Sequence, residues 1–434
     1  MNDKKDRLEI RHFIKNLSGK SKFVISKKSR AIGISRQTYQ NKLDNLRNRK
    51  IITNFTININ PNLKPNNLKY VMLEIKTNPK EPELVEQLLK IPQITMLNGI
   101  FGEFSLFALF IFKSPEEYYQ ILNNIDKIMA RSYFKKYQII ETIKVFKTNG
   151  ISLRSLNMSY EEQFVEQLNC IMKQKKDYET NSDSTIENIE LKLAEKVDLN
   201  QISRNYMDIE YNPKKFPGIL IKIEKFNITI LIFSSGKIVV TGLRETQDTE
   251  KVINEIIKTM RKFGINLDKK TIDLNLKIDN IDYEILQILR DQQGDKPIST
   301  YEIKSIFKEQ FSNDISQSTI HNRIKNLESQ NIILNYTINF SPKELGYKGK
   351  FILRIKPKNP SKYNELAFKL ENNKNITDLF RIGEQYGLLA IVRVKKIEDY
   401  GNFLRELYLT EEIEDTFTHF VLDELIKYTN FLIF

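Results

Sequence analysis

From Ser35 the chain places Tyr39, Leu43 and Leu46 at helical spacing and leaves Arg36, Gln37, Gln40, Asn41 and Arg47 for the other faces. Ser35 is a natural N-cap, and a shorter helix over residues 27–32 stops at Gly33, so the pair predicts a helix-turn-helix. The alternation in IITNFTINI that follows predicts a wing strand. Further on the period switches repeatedly. Residues 70–76 read as a strand, 81–89 as a helix, 94–100 and 104–112 as strands, 115–129 as a helix and 138–146 as a strand. That βαββαβ order predicts a ferredoxin-like αβ module.

The pattern then recurs. Shifted by 281 residues, SRQTYQNKLDNLRNRKIITNFTININP from Ser35 lies over SQSTIHNRIKNLESQNIILNYTINFSP from Ser316, with 12 of 27 positions identical. Lys69 then meets Lys350, Pro79 meets Pro360, and Gly102-Glu103 meets Gly383-Glu384. Two copies of one unit flank an unrelated middle. The fold class expected is α+β and multidomain: a winged helix-turn-helix at 1–60, a ferredoxin-like αβ module at 61–150, a helical and polar linker at 151–180, a middle domain at 181–267, a second winged helix-turn-helix at 268–345 and a second αβ module at 346–434.

A winged helix-turn-helix joined to such a module, with a Gly-Glu turn between the second and third strands, resembles the leucine-responsive regulator/AsnC family of transcription factors. The resemblance covers about 150 residues at each end. It implies DNA contacts by Lys27, Lys28, Arg30, Arg36, Gln37, Gln40, Asn41 and Lys42, and in the second copy by Gln317, Ser318, His321, Asn322 and Arg323. It also makes Gly102, Glu103, Gly383 and Glu384 a candidate turn for a small-molecule effector. Neither turn has the Asp that the family usually carries after the Gly, so amino-acid sensing there is not expected, and a plain tight hairpin is the alternative.

In the middle domain, Ile228, Ile230, Ile232, Ile238 and Val240 share one parity and suit packing against a helix at 248–262. Thr229, Leu231, Phe233, Lys237, Val239 and Thr241 share the other, which is also largely apolar and therefore calls for a partner. YNPKKFPGILIK followed by LIFSSGKIVVTG is similar to the C-terminal repeat of the TATA-box-binding protein, over about 80 residues. The fold this implies is a half-saddle with a curved antiparallel sheet. The resemblance implies minor-groove wedges at Phe216 and Phe233, next to Pro217, and groove contacts at Asn188, Val239 and Thr241. Phosphate or sugar contacts fall to Lys222, Ser235 and Lys237. That family has two repeats in one saddle and this chain has one, so a homodimer is expected to complete it. Where the family has acidic residues that receive a TFIIB-type factor, this chain has Asn212, Lys214 and Lys215, which should repel a basic partner.

Charge sharpens the picture. The net +13 is concentrated in residues 1–60, which carry +11, whereas 276–345 carry −2 and 181–267 carry +1. Such density suits phosphates and nominates the first helix-turn-helix as the one equipped to bind DNA unaided. One cysteine, Cys170, excludes an internal disulfide, and His12, His321 and His419 lie too far apart to hold structural zinc, so no metal or cofactor is expected. No apolar run is long enough to span a membrane, and a cytoplasmic location is expected. Phosphate-cradling glycine loops, nucleophile elbows and HExxH are absent, so an enzyme is not expected. The expectation is a DNA-binding transcriptional regulator of archaeal type that uses a winged helix in the major groove and a TATA-binding-like sheet on A·T-rich minor groove. The alternative is a ligand-binding or protein-interaction scaffold that has lost DNA binding.

Overall fold

A computed structural model describes residues 2–62, 68–78, 80–154, 189–193, 196–206, 209, 211–213, 216–243, 249–265, 267, 278–311, 314–411 and 413–433. The chain forms two compact units, a discontinuous one of Met1–Leu153 with Leu274–Phe434, and a continuous one of Arg154–Asp273.

The discontinuous unit opens with α1 (Asn2–Leu17), which the basic character of this stretch obscured, although Ile10, Phe13, Ile14 and Leu17 recur at helical spacing and are buried. Next come α2 (Ile25–Ala31) and α3 (Arg36–Asn48), the latter capped by Ser35, whose hydroxyl accepts the Thr38 amide at 3.0 Å. The strand β1 (Ile52–Ile59) leads into the αβ module: β2 (Lys69–Ile75), α4 (Pro82–Leu89), β3 (Ile94–Ile100), β4 (Leu106–Phe112), α5 (Pro115–Met129) and β5 (Tyr137–Thr148). A short β6 (Ile151–Ser152) still pairs with β5, so the module runs past the boundary expected at 150. The rest of the expected linker, from 155, lies outside the described residues.

The continuous unit contains β7 (Ile189–Lys192), α6 (Leu199–Asn205), β8 (Gly218–Ile223), β9 (Ile228–Phe233), β10 (Lys237–Thr241) and α7 (Thr249–Lys262), with sheet order β7-β10-β9-β8. Ile219, Ile221, Ile228, Ile230, Ile232, Ile238 and Val240 fill one face against Val252, Ile256 and Met260 of α7, as their parity predicts.

The second half of the discontinuous unit repeats the first: α8 (Asn280–Asp291), α9 (Thr300–Gln310), α10 (Gln317–Ser329) and β11 (Ile333–Phe340), then β12 (Gly349–Pro357), α11 (Tyr363–Leu370), β13 (Ile376–Ile382), β14 (Leu388–Val394), α12 (Ile397–Thr410) and β15 (Ile413–Glu424).

The expected wings are not wings. β1 and β11 pair antiparallel with each other, Thr56 opposite Thr337 and Phe55 opposite Ile338, and Asn58 donates to Asn335 at 2.9 Å. Thr56 and Thr337 are repeat mates, so a pseudo-twofold axis passes between them. Most residues of both strands are buried, which a solvent-facing hairpin would not tolerate. The two αβ sheets also join, twice: β3 pairs with β15, and β5 pairs with β13. Eight strands, in the order β13-β14-β12-β15-β3-β4-β2-β5, thereby close on themselves. The two modules thus pair within one chain and leave no open edge at either seam.

Closure encloses charge. The Glu74 carboxylate, 2% exposed, accepts from Arg354 Nη2 at 2.7 Å, and Arg354 Nε donates to Glu384 at 2.9 Å. The Gln138 amide also donates to Glu74, and Nδ1 of His419, the repeat mate of Gln138, lies 3.3 Å from it. Nearby, Glu424 receives Arg393 at 2.6 Å and Lys350 at 3.0 Å. Burial alone would raise the Glu424 carboxyl, but these two cations hold it at about 2. Burial lowers His419 below its ordinary range, with Glu74 pulling the other way and Arg354 adding to the lowering. The folded protein therefore binds that proton less readily than the unfolded chain. The stability His419 confers is complete above about pH 6.5 and is lost as pH falls below it. His419→Gln, which restores the residue of the first copy, is expected to flatten the decline in urea midpoint on acidification below that pH; a decline as steep as wild type would refute this.

Candidate nucleic-acid interface

On the first head, α3 exposes Arg36, Gln37, Asn41 and Lys42, while Tyr39, Leu43 and Leu46 hold the helix to α1 and β1. Gln37 donates to Asn41 at 3.0 Å, and Gln40 spends its amide on Asp44 at 2.9 Å. Lys27 and Arg30 on α2 are exposed. Lys28 departs from its expected phosphate role. It is partly buried, its ammonium donates to the Ser18 carbonyl at 2.8 Å, and burial lowers its pKa. It ties α2 to the end of α1.

The second head has the same frame and a different surface. Gln317, Ser318, His321 and Asn322 are exposed on α10. Arg323, the repeat mate of Lys42, does not reach outward, because its guanidinium is held by Asp279 at 2.7 Å and Asp282 at 2.8 Å. Those two acids also form the capping box of α8, so the cation is committed to its own fold.

The open face of the β7–β10 sheet is apolar. Phe216 is 39% exposed and Leu220 48%, with Leu231 and Phe233 partly exposed beside them. The Phe216 and Phe233 rings lie side by side, centroids 5.8 Å apart. Register explains the pair: Gly218 is opposite Phe233, and a Cβ at Gly218 would meet the Ile232 carbonyl at 2.8 Å and the two rings at 3.0 and 3.2 Å. Only glycine lets both rings rest on the strand. Gly242, at the end of β10, has φ +85° and would bring a Cβ to 2.5 Å from the Asn227 carbonyl, which accounts for the glycine that follows Thr241.

Pro217, Lys222 and Ser235 are exposed, with Lys237 and Thr241 partly so. Val239 lies between Leu231 and the backbone of Glu190 and is 8% exposed, so it offers a floor rather than a projecting contact. Asn188, Lys214 and Lys215 lie outside the described residues, and Asn212 is exposed. Leu220 was missed; it alternates with Ile219 and Ile221 on β8, and that parity would have found it.

The Gly-Glu turns offer no loose carboxylate. Glu103 is paired with Lys136 at 2.5 Å and Glu384 with Arg354. Among the described residues, no helix is long and apolar enough to cross a membrane.

Residues 183–263 match the family described as Transcription factor TFIID (or TATA-binding protein, TBP), and residues 350–431 match the Lrp/AsnC ligand binding domain. The TATA-box-binding protein of Pyrodictium occultum is 40% identical over 86 residues, which are 19% of this chain and 43% of that protein. The HTH-type transcriptional regulator FL11 of Pyrococcus furiosus is 33% identical over 145 residues, 33% of this chain and 89% of that one. The solved structure of E. coli AsnC aligns over 36% of this chain and 98% of its own at 26% identity, with a TM-score of 0.28. The chain spans less than half the length of curated TATA-box-binding relatives such as those of P. occultum and Sulfurisphaera tokodaii.

Proposed function

The chain belongs to the HTH-type transcriptional regulators of the Lrp/AsnC kind, and on that footing we propose that it engages DNA at two places. The first head lays α3 in a major groove, with Arg36, Gln37, Asn41 and Lys42 towards the bases and Lys27 and Arg30 on phosphates. The half-saddle lays its open face on A·T-rich minor groove, with Phe216 and Phe233 as wedges, and a second copy of the chain supplies the other half of the saddle. It does not seat a TFIIB-type factor in the usual way. The observation that carries this reading is the exposed Phe216–Phe233 pair on a sheet whose other face is already filled.

The test is selection of DNA by the full chain, followed by salt titration of the selected sites. A·T-rich sequences with flexible TA steps are expected. Lys27→Ala with Arg30→Ala is expected to reduce the slope of log affinity against log salt by about 2, one for each phosphate-facing charge. Light scattering should give twice the 51.2 kDa of one chain. Selection without A·T enrichment would refute the minor-groove role, and a strict monomer at micromolar concentration the shared saddle.

A further inference from the structure

The two αβ modules differ in how the second helix leads to the last strand. Between α5 and β5 the first module carries Arg131, Tyr133, Phe134, Lys135 and Lys136, all exposed. In the second, α12 ends at Thr410 and β15 begins at Ile413, and the residues between are Glu411 and Glu412. The longer connection has fixed geometry. The buried Ser132 donates its hydroxyl to the Met129 carbonyl at 2.9 Å and accepts the Lys135 amide at 3.1 Å, while the Tyr133 amide donates to Glu81 at 2.7 Å. The end of β2 and the Gly102 turn come to the same place. The Lys76 amide donates to the Lys136 carbonyl at 2.9 Å, the Lys76 ammonium lies 4.9 Å from the centre of the Phe134 ring, and the Lys136 ammonium pairs with Glu103 at 2.5 Å. Three segments remote in sequence thus form one corner of the module.

That corner shows water both rings and charge. Phe101 is 78% exposed and Tyr133 73%, and Phe134 stands edge-on to Tyr133 with centroids 5.1 Å apart. Lys76, Lys80, Arg131, Lys135 and Lys136 gather there against Glu81, Glu103 and Asp126. Each of those acids is already engaged: Glu81 by the amides of Tyr133 and Asn78, Glu103 by Lys136, and Asp126 by the Tyr137 hydroxyl at 2.5 Å. Arg131 and Lys135 make no ion pair among the described residues. The second copy is an internal reference for the same corner. There Lys356 is spent on Glu414 at 2.7 Å and Lys369 on Glu411 at 2.8 Å, and the Tyr386 hydroxyl donates to Asp415 at 2.8 Å. One descendant of the duplicated unit closed these charges on one another; the other left two cations unmatched beside open rings.

Cations alone would suit any polyanion, and a duplex would offer projecting rings only sugar and phosphate. Rings with free faces beside unmatched cations fit a strand whose bases are unpaired, because every base has a face to stack and every linkage a charge to neutralise. We propose that this corner binds single-stranded nucleic acid, with bases stacked on Tyr133 and Phe101 and phosphates on Arg131 and Lys135. The choice of nucleic acid over other polyanions rests on the chain being a transcriptional regulator. A separated DNA strand and an RNA transcript share the chemistry required. The site uses residues of neither α3 nor the β7–β10 sheet, so it adds to the duplex contacts rather than restating them.

Fluorescence anisotropy of the full chain with labelled oligothymidylate and oligouridylate of about 15 nucleotides tests it, and the tighter of the two identifies the source of the strand. Tyr133→Ala and Phe101→Ala should each weaken binding about tenfold, whereas Tyr133→Phe, which keeps the ring, should not. Arg131→Ala with Lys135→Ala should reduce the salt slope for single strands by about 1.4, roughly 0.7 for each charge. All four side chains are exposed, so these variants should fold as wild type does. Polyglutamate, a polyanion without base faces, and vesicles of anionic lipid are the controls. No binding of either strand at about 100 μM, unchanged affinity in both alanine variants of the rings, or a control bound as tightly as the strands would overturn the proposal. Duplex affinity should not move in Tyr133→Ala, so loss of the two-site duplex reading and loss of this one are told apart.

Discussion

Arg354→Leu is expected to destabilise the discontinuous unit by about 3–5 kcal/mol in urea unfolding, the largest single-residue loss foreseen for this fold. Arg354 and Glu74 are 4% and 2% exposed and belong to different αβ modules, so removing the guanidinium strands a carboxylate inside the closed ring. Glu384, 24% exposed, can turn to water, whereas Glu74 cannot. Adding Glu74→Leu should restore most of the loss, because two apolar side chains no longer leave a buried charge. If Arg354→Leu costs no more than an ordinary surface change, the pair does not hold the modules together.

Phe216→Ala combined with Phe233→Ala is expected to lower the affinity of the full chain for A·T-rich DNA by about 100-fold and to abolish bending of the duplex. Two wedges that each contribute on the order of 1.4 kcal/mol give that factor. The urea midpoint should hardly move, because neither ring belongs to the core beneath the sheet. Bending measured by energy transfer between dyes at the two ends of the duplex decides the point, and a retained bend would show that the rings do not enter the stack. Lys27→Ala serves as a contrast, weakening binding at all sequences and leaving the bend unchanged.

Local periodicity made much of this architecture legible. Tyr39, Leu43 and Leu46 mark α3, the sequence pattern delimits α5 to its ends, and the parity of Ile228, Ile230 and Ile232 identifies the filled face of the half-saddle. What stayed hidden depends on partners remote in sequence. IITNFTINI carries the same alternation whether it pairs with a neighbour or with a strand 281 residues away, so its role as one half of the β1–β11 ribbon could not be read from it. The same holds for Glu74, an acid in an otherwise apolar strand, which makes sense only beside Arg354. Lys28 was read as a phosphate contact because a count of charges does not reveal which cations a fold keeps for itself, whereas the internal commitment of Arg323 agrees with the weaker DNA role expected of the second head.

Closure of the eight-stranded ring has a consequence for how the protein is made. When the ribosome has finished β5 at Thr148, β3 and β5 are both complete, yet their partners β15 and β13 begin only at Ile413 and Ile376. At roughly 5–20 residues per second the nascent first half waits tens of seconds with two unpaired strand edges, long enough to meet the same edges on a neighbouring nascent chain. The continuous unit, synthesised in between, can fold during that interval. The ring must then wait for the last strand of the chain, and two chains on one polysome could exchange halves and close each other's rings instead of their own.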